Sequence, residues 1–289
     1  MSTERGSRAG EGYRWCHALA RSHYENFPVA SFLLPARLRD PVAAIYAFAR
    51  SADDIADEGD TAAEERLRQL DVMAAELSAI ESGRHSDSPM YAALADSIER
   101  YQLPTGLLRD LLSAFRQDVS KTRYADFGEL MSYCRRSANP VGRLLLHLTG
   151  DNSERNLALS DAVCSALQLI NFLQDIAQDY EENARIYLPG DEMQRFGVDE
   201  NCIARRENSP SMRALVQFQV QRAAQLLRSG SPLGKHLGGR FGLEIRAIVL
   251  GGSRTLEKLF GQSDLFSRPR LNRRDRLAIL WGAFRQGFN

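Results

Sequence analysis

The sequence has no net charge: thirty-seven lysines and arginines balance thirty-seven aspartates and glutamates. Without a global field to recruit a polyanion, a nucleic-acid partner is not expected, although a local basic site is still allowed. Cysteine is scarce. Cys16, Cys134, Cys164 and Cys202 lie far apart with no C-x-x-C spacing, which argues against a zinc site or a disulfide framework. They read as reduced, mostly buried thiols of a cytoplasmic protein. No run approaches the length of a transmembrane helix, and the start of the chain, with Glu4, Arg5, Arg8 and Glu11, lacks the apolar stretch of a signal peptide. The histidines show no H-x-x-x-H spacing, so an imidazole metal centre is not expected. The pairs Gly238-Gly239 and Gly251-Gly252 follow no strand and make no phosphate-binding fingerprint of a nicotinamide fold. Also missing are an alternating β pattern, a repeat of fixed period, and a linker long or polar enough to split the chain.

What is present is helical periodicity. Apolar residues recur at three- and four-residue spacing over 12–24, 40–58, 61–82, 90–101, 105–120, 126–148, 156–182, 212–229, 240–260 and 273–287. Turn chemistry separates these spans, for example at Leu103-Pro104, Pro189-Gly190 and Ser209-Pro210. Asp40 before Pro41 predicts an N-cap followed by a first-turn proline. A single all-α domain over 1–289 is expected, with residues 1–11 flexible. At 44% apolar residues it can bury a substantial core.

Two acidic clusters stand out from this background. In Asp53-Asp54-Ile55-Ala56-Asp57, and again in Asp175-Ile176-Ala177-Gln178-Asp179, two aspartates sit four residues apart within a helical span. Their carboxylates therefore project from one face, a turn apart. Around the first, Tyr46, Arg50, Asp53 and Asp57 form one stripe on a helix otherwise made of alanine, valine, isoleucine and phenylalanine. Around the second, Gln168, Asn171, Asp175 and Asp179 share a face among apolar neighbours. Ionisable groups so embedded are costly unless they bind something. Oxygen ligands in this number suit Mg²⁺, which is usually completed by substrate phosphates. The competing readings are a solvated helix face and, for Arg50, an internal ion pair with Asp53 or Asp54. Finding the arrangement twice favours the cation site.

These residues resemble the squalene and phytoene synthase family of head-to-head prenyl transferases. Tyr46 through Asp57 resembles its first aspartate-rich motif. Gln168-x-x-Asn171-x-x-x-Asp175-x-x-x-Asp179, followed by Arg185-Ile186-Tyr187-Leu188-Pro189, resembles its second. The resemblance implies an isoprenoid synthase fold, an all-α bundle with a central prenyl-binding cavity. It also implies Mg²⁺ held by Asp53, Asp57, Asn171, Asp175 and Asp179, with Tyr46 among the catalytic side chains. Arg50, Lys121, Arg123 and Arg185 would meet the diphosphate. Tyr24, Asn26, Tyr124, Tyr133, Ala138, Asn139, Val141, Gly142 and Gln168 would line the substrate.

Departures from the common pattern, at Tyr24-Glu25-Asn26-Phe27-Pro28, at Ala138-Asn139-Pro140-Val141-Gly142 and at Gln174 where many members carry arginine, are similar to the bacterial hopanoid-pathway branch. For that branch the implied substrate is presqualene diphosphate. The implied reaction is loss of diphosphate, rearrangement of the cyclopropylcarbinyl cation and capture by water to give hydroxysqualene. The alternatives are condensation of two farnesyl diphosphates to presqualene diphosphate, squalene or a dehydrosqualene- or phytoene-like product, and a non-catalytic scaffold of the same fold. Retention of every ligand position argues against the scaffold. Association with other hopanoid-pathway enzymes is a further implication.

Pro140 falls inside the 126–148 span and should kink it, with Asn139 near the kink a candidate to help deliver water. Near the end of the chain, Arg268, Arg270, Arg273, Arg274 and Arg276 lead into Leu277, Ile279, Leu280, Trp281 and Phe284. Such a segment either docks peripherally on an anionic membrane or packs as a final helix with a solvated basic lead-in.

Overall fold

Capping chemistry decides where several helices begin. Asp126, Ser153, Asp199 and Ser209 each accept a backbone N–H three residues on with the side-chain oxygen, and Pro210 follows Ser209 at the first helical position. The computed structural model describes residues 2–22, 34–57, 59, 61–84 and 86–285. Its helices are α1 (Ser2–Ser22), α2 (Ala36–Asp57), α3 (Ala63–Glu81), α4 (Pro89–Tyr101), α5 (Thr105–Asp118), α6 (Phe127–Ser137), α7 (Asn139–Thr149), α8 (Glu154–Gln174), α9 (Ile176–Asn183), α10 (Gly190–Phe196), α11 (Glu200–Ala204), α12 (Pro210–Gly230), α13 (Leu233–His236), α14 (Gly239–Gly261) and α15 (Arg273–Arg285). Among the described residues the only β pairing is an isolated parallel bridge between Arg123 and Ile186. The expected all-α class is what the structure has.

The chain divides into two compact units, each built from two separate stretches. The first comprises Met1–Ser120 and Pro140–Asn152; the second, Lys121–Asn139 and Ser153–Asn289. In the first, α1 packs on α2 and α4, and α2 packs on α3 and α5. Ala43, Ala44, Ala47, Phe48 and Ala52 of α2 are fully buried, so small side chains bring this helix close to its neighbours. In the second, α8 and α14 pack on α12. Gly230 permits the α8–α12 contact: a methyl group there would lie 2.7 Å from the Leu159 carbonyl and 2.8 Å from the Val163 nitrogen.

Four local expectations change. Asp40 is not an N-cap, because α2 starts a turn earlier and holds Pro41 inside it. Proline removes the donor that the Arg37 carbonyl would have used, and the Tyr101 hydroxyl donates to that carbonyl instead, at 2.9 Å. The 126–148 span is two helices separated at Ala138, with Pro140 in the first turn of α7, where its missing N–H costs nothing. The 156–182 span is interrupted at Asp175, whose ψ of 15° leaves the helical range while its N–H still reaches the Asn171 carbonyl. Finally, α8 is long and apolar enough to cross a membrane, contrary to the reading of the sequence. Its packing on α12 and α14, with Ser160, Ser165, Leu169 and Phe172 buried, is that of a core helix. Residues 2–11 form the first part of α1.

Candidate active site

In the first unit, Tyr46, Arg50, Asp53 and Asp57 are all half-buried on α2, whereas Val42, Ala43, Ala44, Ile45, Ala47, Phe48, Ala52 and Ala56 are buried. The stripe thus stays partly accessible beside a buried apolar face of the same helix. Both ion pairs considered for Arg50 form: its Nη1 lies 3.1 Å from Asp53 and its Nε 2.6 Å from Asp54. The fork holds the guanidinium along the stripe and orients the Asp53 carboxylate. Val141 and Gly142, on α7, also belong to this unit, half-buried and buried respectively. Tyr24 and Asn26 lie outside the described residues.

In the second unit the backbone joins two stretches far apart in sequence. Beside the Arg123–Ile186 bridge, the N–H of Ile186 donates to the Thr122 carbonyl at 2.9 Å, Gly190 to Tyr124 at 2.9 Å and Asp191 to Ala125 at 3.0 Å. Lys121, Arg123 and Tyr124 are thereby set against Arg185 and Tyr187. Four aromatic rings gather there. Phe172 and Tyr187 stack at 3.8 Å with planes 7° apart, Tyr124 stacks on Tyr187 at 5.6 Å, and Tyr133 lies 5.6 Å from Tyr124 and 6.2 Å from Phe172. Asp179, buried Arg185, Phe172 and Tyr187 line one small cavity of about 10 Å³.

The cations expected to meet diphosphate have protein partners. The Lys121 ammonium bonds Glu129 at 2.6 Å and lies 5.4 Å from the Tyr124 ring centre. Arg123 donates to the carbonyls of Thr122 and Ala184 and pairs with Glu200 at 2.7 Å. The Lys121 hydrogen bond, then that from the Ala125 N–H, holds the Glu129 carboxyl below its ordinary range, and Arg123 does the same for Glu200. These pairs tie down the crossing of the two stretches.

On α8, Gln168 and Asn171 are half-buried; Asp175 is buried and Asp179 half-buried. Ala138, half-buried, marks the break before α7, and buried Asn139 accepts a hydrogen bond from Ser165 at 2.8 Å. That bond uses one of the two acceptor sites of the Asn139 amide oxygen.

Arg268 is a residue the sequence analysis misassigned. Placed with the basic lead-in, it instead forms an ion pair with Asp175 through Nε at 2.8 Å, while the Gln174 amide donates to the neighbouring Pro269 carbonyl at 2.9 Å. A guanidinium is thus present beside Asp175, supplied from far downstream. Gln174 itself, the departure at that position, was the available signal.

In the first unit Asp53 and Asp57, and in the second Asp175, Asp179 and the amide oxygen of Asn171, are hard oxygen donors of the kind Mg²⁺ takes. Among the described residues, no three His, Cys, Asp or Glu side chains gather into a metal site.

The model for squalene/phytoene synthase matches residues 20–276. A hydroxysqualene synthase of Rhodopseudomonas palustris is 38% identical over 252 residues, covering 86% of this chain and 83% of that protein. A phytoene synthase of Mycobacterium tuberculosis is 34% identical over 233 residues, covering 80% and 76%. Among solved structures, squalene synthase HpnC from Alicyclobacillus acidocaldarius superposes with a TM-score of 0.82 at 33% identity, covering 89% of this chain and 98% of that one. The resemblance read from the two aspartate motifs is therefore met along nearly the whole chain, which belongs to the squalene/phytoene synthase family.

Proposed function

We propose that the protein converts presqualene diphosphate and water to hydroxysqualene and diphosphate, with Mg²⁺ as the metal. The observation that carries this reading is the half-buried Tyr46–Arg50–Asp53–Asp57 stripe on a helix whose alanine, isoleucine and phenylalanine face is buried, in a chain whose relatives include hydroxysqualene synthases at 35–38% identity. Departure of diphosphate is limited by charge separation. Asp53 and Asp57 of the first unit, and Asn171, Asp175 and Asp179 of the second, would hold Mg²⁺, which would supply counter-charge for the leaving group. Arg50, pre-oriented by Asp53 and Asp54, donates to the diphosphate oxygens. Arg268 sets the Asp175 carboxylate. Tyr124, Tyr133, Phe172 and Tyr187 form an apolar aromatic wall beside Asp179 and Arg185. A cytoplasmic location belongs to the same proposal.

The test incubates purified protein with Mg²⁺, without NADPH, and with presqualene diphosphate or farnesyl diphosphate separately. An alcohol product from presqualene diphosphate alone is expected. Consumption of farnesyl diphosphate alone would replace the proposal with the condensing reaction. Asp53→Ala and Asp175→Ala should each lower turnover by at least about 100-fold with helical content retained. Retention of most activity by either variant would remove the metal assignment.

A further inference from the structure

The last helix, α15, has two unlike faces. One is fixed to α14: Asp275 is buried against Arg254 at 2.8 Å and Lys258 at 2.9 Å, Arg246 donates to the Ala283 carbonyl at 3.1 Å, and Gly282 lies against Leu250. Its start is equally defined, since Asn272 and Asp275 exchange backbone–side-chain hydrogen bonds of 2.9 Å in a reciprocal cap. The opposite face carries Leu277, Trp281 and Phe284, which are 68%, 73% and 51% exposed. At helical spacing these three form one stripe. Exposed Arg273 and Arg276 run along one side of it and exposed Arg274 and Arg285 along the other, with no acidic residue on that face. The helix is thus rigidly mounted, with its apolar stripe turned outward.

A second feature in the same unit adds to this. Beside α15, between α12 and α14, lies a groove of about 910 Å³. Val249, Leu250 and half-exposed Phe260 supply apolar walls, and Arg228, Lys235 and Arg246 outnumber the one acidic lining residue, Glu257. Arg246 and Leu250 belong both to the groove and to the mounting of α15.

We propose that α15 and the adjoining groove form a peripheral docking surface for an anionic lipid bilayer. Apolar side chains bracketed by arginines match the layering of a leaflet, in which acyl chains lie beneath anionic headgroups, and tryptophan favours that boundary. A second copy of this chain fits less well. The three side chains offer roughly 400 Å² of apolar surface, about half of what each partner in a standard protein interface buries. Their arginine borders would also repel the same borders on a symmetry mate. The inference is independent of which reaction the site performs.

The test is flotation of the full-length protein with phosphatidylcholine vesicles, with and without phosphatidylglycerol. Wild type should float with the mixed vesicles and remain below with neutral ones, and added salt should release it. Trp281→Ser should lower the partition coefficient about tenfold or more, and Arg274→Glu with Arg285→Glu should abolish the preference for anionic lipid, both with unchanged circular dichroism. Wild type that fails to float with anionic vesicles overturns the proposal. So does Trp281→Ser floating as wild type does, or changing only a dimer to a monomer by sedimentation.

Discussion

Truncating Phe172 should reveal how strongly the aromatic cluster holds the second unit together. The ring is 8% exposed, stacks on Tyr187 at 3.8 Å and touches Tyr133 at 6.2 Å, and it walls the small cavity next to Asp179 and Arg185. Phe172→Ala removes the ring from a buried site and leaves a void that neighbours on α8 can fill only partly, at a cost of about 3–5 kcal/mol. At roughly 2 °C per kcal/mol for a chain of this size, thermal melts followed at 222 nm should fall by about 6–10 °C. Phe172→Leu keeps most of the apolar volume and loses the stack, so about 1–2 kcal/mol is expected. Combined with Tyr187→Leu, it should show a coupling of about 0.5–1.5 kcal/mol, because either single change already removes the shared contact. A Phe172→Ala protein melting within about 2 °C of wild type, or strictly additive leucine variants, would refute this account.

Glycine positions offer a paired contrast. Gly230→Ala should destabilise by about 1–3 kcal/mol, because its methyl group meets backbone atoms of α8, whereas Gly106→Ala, with open space around it on α5, should stabilise by about 0.5–1 kcal/mol; equal effects in denaturant titrations would refute the packing argument. Burial, and secondly the charge of Arg143, lower the His147 pKa in the folded state, and Asn152 lies 2.9 Å from its Nδ1. The unfolded chain therefore takes up this proton first as pH falls through about 6.5, and stability present above that pH is lost below it. His147→Gln should flatten that part of the pH dependence between about pH 7.5 and 5.5, and an unaltered slope of melting temperature against pH would exclude this histidine as its source.

Much of the helical layout is legible because it depends on local pattern. The spans read over 61–82, 90–101, 105–120 and 240–260 agree with α3, α4, α5 and α14 to within a residue or two. The errors have non-local causes. Nothing near Asp175 announces a break, since a helical hydrogen-bond pattern continues through it from Asn171 to Asp179. Asp40-Pro41 looks like a helix start, and only the Tyr101 hydroxyl, distant in sequence, shows why the helix can begin earlier. At the candidate site, the acidic stripes are readable from spacing alone. The pairing of Lys121–Ala125 with Arg185–Asp191 and the reach of Arg268 to Asp175 depend on contacts between distant segments, on which periodicity is silent.

Neither compact unit is one continuous stretch of chain, and this has a consequence for synthesis. When the ribosome has delivered residues 1–120, the first unit still lacks its closing piece, Pro140–Asn152, which arrives only after part of the second unit has been made. Vectorial folding cannot finish one half before starting the other. A nascent chain halted shortly after Ser120 should thus be more open to protease than one released past Asn152.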